Sequence, residues 1–312
     1  MDIRFLQTFV SVAELGSIAE AARRLDMTPA TVAQRLRALE ADVGSQLIVR
    51  SGRTVRATVV GTRILEHAQA VLRAVRDLKS AASDTDLPAG PLRLGAIPSG
   101  LMGIVPLLLK EWAARHPEIG VYMEPSSSTA LYDKVLRGEL DAAVLVHPLF
   151  ELPKTCMWHP LRHEPLVLLA PATLKVSDPL ATIAREPLIR YDRNVVGGRM
   201  ADAYLRRHGI RPQVRVELDG IEYIAKLVAE GLGISVLPDW AVTGPPNPAI
   251  KKWPLPGSVP TRTVGVLWQR STVRAPLVEA FVEISRLHFR AKKKAAQLSA
   301  DSYTRAARKP TR

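Results

Sequence analysis

SIAEAARRLDMTPATVAQRLRALEADVG, residues Ser17–Gly44, holds two helix starts in quick succession. In the first, Ser17 stands three residues before Glu20. At that spacing a serine hydroxyl accepts the amide while the glutamate reaches back, a reciprocal capping box. The helix it opens continues through Ala21, Ala22 and Leu25, whose small residues let a partner helix approach closely. Asp26-Met27 makes a tight break. Thr28 then caps a second helix with Pro29 at its first position, where a missing N–H costs nothing. This helix is expected to run to about Ala41, with Val32, Leu36 and Leu39 as its apolar stripe and Thr31, Gln34, Arg35 and Arg37 on other faces. Two short helices joined by a few residues, the second showing polar and cationic groups near its start, suit the major groove of double-stranded DNA.

The flanks complete this head. Upstream, Phe5, Leu6, Phe9, Val10 and Val12 keep helical spacing between Ile3 and Leu15. Downstream, Gln46–Arg50 and Arg53–Thr58 are two β-prone stretches around Ser51-Gly52, which reads as a hairpin wing. Thr31, Gln34 and Arg35 have the chemistry to reach base edges, glutamine for adenine and arginine for guanine. Thr28 and the first free amides suit a phosphate, and Pro29 offers an apolar contact to a thymine methyl. Arg50, Arg53 and Arg56 of the wing suit phosphates or the minor groove.

Thr58 caps a further helix, Val59 to Lys79, in which Leu65, Ala68, Leu72 and Val75 alternate by three and four, with Ile64, Val71 and Leu78 widening the stripe. Such a face is not stable in water, so it packs on a second copy or on its own head. Pairing of copies would set two heads on two half-sites. Ser80–Pro91, small, acidic and Pro/Gly-bearing, reads as a hinge.

From Leu92 the pattern changes to strands alternating with helices, which implies βαβ units around a largely parallel sheet, arranged as two α/β halves. Ligands of such sheets gather at the carboxyl ends of strands and between lobes. That rule makes Ser99, Ser126, Ser127, Ser128, Tyr191, Asp192, Arg193, Asn194 and Asp219 candidate pocket residues. Hydroxyls beside a helix amino end suit a carboxylate or another anion. Arg199 adds a charge, whereas Asp192 and Asp219 favour a cationic or hydroxyl-bearing group. Gly197-Gly198 lacks dinucleotide or P-loop spacing, so no nucleotide cofactor is expected.

Composition narrows the class. With 312 residues, 47% of them hydrophobic, the chain has room for more than one domain. The net charge is +13, yet residues 1–90 hold 12 Lys/Arg against 10 Asp/Glu while residues 290–312 hold 8 against 1. More than half of the excess sits in a short basic tail, so the case for a DNA-binding head rests on its pattern and not on bulk charge. Cys156 is the only cysteine, which rules out an intrachain disulfide and fits a reducing cytosol. The start has no long apolar run behind a basic region, and Leu166–Ala170 is too short to span a bilayer, so a cytoplasmic, membrane-free protein is expected. His159 and His163 are four apart, but Pro160 between them argues against a helical metal pair, and no G-x-S-x-G elbow is present. Neither a metal site nor an enzymatic activity is expected.

The whole order resembles the LysR-type transcriptional regulator family, most strongly from Phe5 to Thr58 and more loosely through Leu92-Arg93-Leu94-Gly95, Gly138-Glu139-Leu140-Asp141 and Gly231-Leu232-Gly233-Ile234. The resemblance implies an α/β protein with an N-terminal winged helix-turn-helix (1–58), a dimerising linker helix (59–80), a hinge (81–91) and a two-lobed, periplasmic-binding-protein-like effector domain (92–290). Lobe I would take about 92–160 and 265–290, lobe II about 161–264, and 291–312 would be the basic tail. It implies a dimer or tetramer on double-stranded DNA answering a small-molecule effector, and leaves RNA polymerase as a further partner. Thr28-Pro29-Ala30 and Ala33 depart from the family's usual Ser-Gln-Pro or Ser-Gln-Ser start and its later serine, so operator preference does not carry over.

Overall fold

Asp2 accepts the Arg4 amide at 2.8 Å and opens helix α1 (Ile3–Leu15), which Gly16 closes in the left-handed region. Ser17 Oγ caps α2 (Ile18–Arg24) by accepting from Glu20 N at 3.2 Å. The Glu20 carboxylate turns to Arg23, so only half of the expected reciprocal box forms, because a guanidinium one turn on competes for it. Thr28 Oγ1 accepts Thr31 N at 3.1 Å and caps α3 (Pro29–Val43). Phe9, Val12, Ala21, Val32 and Leu39 form a closed core between the three helices. The structure is a computed structural model that describes residues 1–52, 54–82, 87–88, 90–243, 245 and 247–289. The expected roles of Arg53 and of the basic tail, and most of the hinge, lie outside these residues.

The wing pairs β1 (Ile48–Ser51) with β2 (Thr54–Ala57), antiparallel. Glu40, near the end of α3, holds it there, with one carboxylate oxygen accepting Leu47 N at 2.8 Å and Ile48 N at 3.1 Å. Glu40→Gln keeps the shape but replaces a charged acceptor by a neutral one, and should cost the head about 1 kcal/mol. Hydrogen exchange reads it directly: the Leu47 and Ile48 amides lose protection, and unchanged protection would refute the tie.

Helix α4 (Val59–Ala81) starts where Thr58 Oγ1 accepts Gly61 N at 2.9 Å. Gly61 is required there, since an added Cβ would meet the Leu47 carbonyl oxygen at 2.1 Å. Ile64, Leu65, Ala68 and Leu72 pack on the head of their own chain. Much of the expected intermolecular seam is therefore intramolecular. Exposed apolar surface remains along Val71, 45% exposed, and Leu78, 71% exposed, with half-buried Val75 between them.

The chain divides into two compact units, Met1–Asp86 and a second beginning at Leu87. The second runs β3 (Leu92–Ala96), α5 (Pro98–Arg115), β4 (Val121–Pro125), α6 (Ser128–Leu136), β5 (Ala142–Val146), β6 (Cys156–Pro171), α7 (Pro179–Arg185), β7 (Leu188–Tyr191), α8 (Val196–Arg207), β8 (Val214–Leu218), α9 (Ile221–Ala229), β9 (Ser235–Pro238), β10 (Ile250–Pro254) and β11 (Thr261–Gln269). A last helix, α10, covers residues 275–289.

Two lobes share one strand. The amino half of β6 pairs with β11, which continues through β5 and β3 to β4. Its carboxyl half lies between β9 and β10, and β9 meets the parallel pair β7-β8 through Leu188 and Ile234. The β3-β4, β3-β5 and β7-β8 pairs are parallel, as the βαβ rhythm predicts. The pairs made by β6 and β11 are antiparallel, so the sheet is mixed. The reason is that β6 and β11 carry the chain out to lobe II and back. In lobe II the alternation of β6 separates two cores, Leu166, Leu168 and Ala170 facing α8 while Leu169 faces α9. Lobe I closes around Trp112, Leu131, Val144 and Phe281. No helix among the described residues is long and apolar enough to cross a membrane.

Candidate nucleic-acid interface and ligand cleft

On α3 the buried stripe is Val32, Leu36 and Leu39. Ala30, Gln34, Arg37 and Ala41, three and four residues apart, share the opposite, exposed face. Thr28 and Pro29 stand exposed at its start. Thr31 is half-buried and its hydroxyl lies 2.9 Å from that of Thr28, so the cap engages both. Arg35 is half-buried on the flank toward α1, where its charge helps hold the Asp2 carboxyl down, at about 2, behind the larger effect of the Arg4 hydrogen bond. Arg37, which sequence reading left without a role, is thus more central to the exposed face than Arg35. In the wing, Arg50 opposes Val55 and Arg56 opposes Val49, so the two arginines rise from opposite faces of the ribbon.

Between the lobes of the second unit lies a cavity of about 130 Å3. One wall is lobe I, with Ser99 at the start of α5 and Ser127, Ser128 and Thr129 at the start of α6. The other is lobe II, with Tyr191 at the end of β7, Asn194 and Gly197 at α8, and Asp219 and Glu222 at α9. Four helices therefore present amino ends to one space, and α5, α8 and α9 have no side-chain cap. Amino ends carry free N–H groups and partial positive charge, so the cavity favours an anion. Gly198 permits the α8 end to come this close, since a Cβ there would meet the Asp192 carbonyl oxygen at 1.9 Å.

Arg262, on the crossing strand β11, lines the cavity although it is only 4% exposed. Its guanidinium is 2.7 Å from Glu164 of β6, itself buried, and donates to Ser99 Oγ at 3.1 Å. Burial pushes the Tyr191 phenol up to about 12, against the pull of the Arg262 cation beside it. Tyr191 is therefore a neutral hydroxyl at any working pH. The floor of the cleft is thus a paired charge tied to one lobe by Ser99 and adjoining the other at Tyr191.

Of the residues expected at a pocket, Ser99, Ser127, Ser128, Tyr191, Asn194 and Asp219 line this cavity. Ser127 also caps α6, accepting Ala130 N at 3.3 Å, and Ser128 Oγ accepts Val146 N at 3.2 Å. Ser126, Asp192 and Arg193 do not line it. Ser126 gives its amide to the Ala96 carbonyl at the sheet end. Asp192 folds back on Asn194, accepting its N and Nδ2 at 2.8 and 2.9 Å. Arg193 turns outward to Glu217, whose carboxyl it lowers. Sequence reading missed Arg262, Glu222 and Thr129. Arg262 pairs with Glu164, 98 positions away, and no local pattern marks such a contact.

Two family models match the chain: "Bacterial regulatory helix-turn-helix protein, lysR family" over residues 3–62 and "LysR substrate binding domain" over residues 85–290. Among curated relatives, the HTH-type transcriptional activator IlvY of Salmonella typhimurium is 28% identical over 295 residues, covering 91% of this chain and 99% of that one. The CzcR regulator of Bacillus subtilis is 26% identical over 245 residues, covering 78% of this chain and 82% of its own. Among solved structures, a full-length OxyR variant from Pseudomonas aeruginosa is 29% identical with a TM-score of 0.63, covering 92% of this chain and 95% of that one. CbnR in complex with its target DNA has a TM-score of 0.63 at 22% identity, covering 92% and 99%, a likeness of fold.

Proposed function

Since the chain belongs to the LysR family and is a sequence-specific DNA-binding transcriptional regulator, we propose that a small anionic effector, held between its lobes, sets how an oligomer of the protein engages DNA. The observation that carries this reading is the convergence of α5, α6, α8 and α9 amino ends on a cavity that is also lined by Arg262, whose charge the buried Glu164 pairs. A ligand that touches Ser99 and Ser128 on one side and Tyr191 and Asn194 on the other favours one separation of the lobes. An effector shifts DNA binding only by its difference in affinity for the two arrangements. This reading gives the cleft binding alone and no chemical turnover.

The test joins ligand to DNA. Metabolites that raise the melting temperature of the full-length protein should also alter its affinity or footprint on genomic fragments recovered by mapping bound DNA. Thr129→Trp, which fills the cavity from an exposed position of its wall, should abolish that response and keep DNA binding. A response that survives the blocked cleft would move the effector elsewhere.

The oligomer is proposed to join through the Val71–Val75–Leu78 face of α4, whose spacing of four and three continues a two-helix seam. Leu78→Glu should raise the dissociation constant of the dimer by about tenfold or more, since it buries a charge without a partner. Sedimentation equilibrium reads the change. An unaltered oligomer would leave this face to another role.

A further inference from the structure

We propose, resting on the cleft reading above, that the effector is a small carboxylic acid bearing a hydroxyl or ammonium donor, and that Glu222 receives that donor. The two walls differ in chemistry. Lobe I supplies Ser99, Ser127, Ser128 and Thr129 with the amino ends of α5 and α6, and none of its lining residues is acidic. Lobe II brings two carboxylates, Asp219 and Glu222, to the start of α9. The cations do not cancel this asymmetry. Arg262 is answered by Glu164, and Arg199 is exposed and donates to the Asn194 carbonyl oxygen at 3.2 Å.

The two acidic side chains are not equivalent. Asp219 is exposed, and its Oδ1 accepts the Gly220 amide at 2.7 Å. Glu222 lines the cavity, yet its Oε2 is shielded from solvent and has no hydrogen-bond partner among the described residues, so a ligand donor meets it once the side chain turns toward the cavity. A carboxylate oxygen accepts and never donates, so such an atom is satisfied only by a donor. Glu222 and Tyr191 both belong to the lobe II wall of the cavity. A ligand carboxylate at the lobe I amino ends and a ligand donor at Glu222 give each wall its complement. A keto acid would set a carbonyl oxygen against the glutamate, and a plain carboxylic acid would leave Oε2 unmet. The cavity, about 130 Å3, suits a small metabolite.

Matched sets on one carbon skeleton test this by isothermal titration calorimetry on the full-length protein. The smallest set is alanine, lactate, pyruvate and propionate, and the largest is leucine with its hydroxy, keto and plain-acid counterparts. In at least one set the amino or hydroxy member should bind about tenfold or more tighter than the keto and plain members. Glu222→Met should erase that preference. Glu222→Gln separates the two donors, because an amide oxygen still accepts from a hydroxyl but no longer pairs with an ammonium charge. Circular dichroism melting of both variants should match that of the parent protein. Tight binding of a keto or plain acid, indifferent to Glu222→Met but lost in Thr129→Trp, would overturn the donor proposal and keep the cleft. Binding that persists in Thr129→Trp would overturn the cleft reading itself. Absence of binding by every member at millimolar concentration would overturn the proposed ligand class alone.

Discussion

Arg274→Met is expected to destabilise the second unit by about 3–5 kcal/mol, the cost of stranding a buried charge. Arg274 and Asp141 are 1% and 2% exposed and lie 2.9 Å apart. Every strong bond of the carboxylate is internal, since its other oxygen accepts Arg93 N at 2.9 Å. The guanidinium reaches on to the Pro91 carbonyl oxygen at 2.6 Å. One pair thus ties the start of β5, the start of β3 and the residues just before α10. Methionine fills much of the arginine's volume, so the loss comes from charge and hydrogen bonds and not from a cavity. At this size the melting temperature should fall by roughly 6–20 °C. The double variant Asp141→Leu with Arg274→Met should recover much of the loss, because a buried ion pair replaced whole by apolar groups is often neutral. Calorimetry decides it. A single variant within about 1 kcal/mol of the parent protein would mean that water reaches the pair and screens it.

The residues that sequence reading placed well act through neighbours a few positions away. Thr28 and Ser17 cap because the amide they accept is three residues on, and the Val32–Leu36–Leu39 stripe is buried because helical spacing leaves it no alternative. The misreadings come from competition and from distance. Glu20 was expected to close a capping box, but Arg23 lies on the same face and takes its carboxylate. Pro160, which separates His159 from His163, lies inside a strand, since β6 runs unbroken from Cys156 to Pro171. Pro160 is accommodated beside the irregularity of the β11 pairing at Val264/Gly265. In the cleft, Ser99, Tyr191 and Asp219 were found by a rule about strand ends, which holds for any chain of this topology. Arg262 and Glu164 escaped because each is an ordinary charged residue in an apolar strand until β6 and β11 are laid side by side. Asp192 and Arg193 follow the right strand but obey local partners, Asn194 and Glu217.

The exposed face of α3 sets which of its substitutions should weaken DNA binding most. Arg37→Ala should lower affinity for a mapped genomic site by about 1–3 kcal/mol, some 5- to 150-fold, if its guanidinium pairs with a guanine edge. Gln34→Ala should act in the same range, since Gln34 shares the exposed face with Ala30 and Arg37. Both should cost far less on random duplex, because base contacts carry the sequence information and phosphate contacts do not. Arg35→Ala should do less than either, for that side chain is half-buried and lies off the exposed face. Arg56→Ala, in the wing, should weaken specific and random duplexes alike and reduce the salt dependence of binding by about one ion. Electrophoretic mobility shifts over a range of salt concentrations separate these outcomes. A larger specific loss for Arg35→Ala than for Arg37→Ala would turn the helix about its axis and put the flank toward α1 in the groove. Equal losses for Arg37→Ala on specific and random duplex would instead make Arg37 a phosphate contact, leaving Gln34 to read the bases.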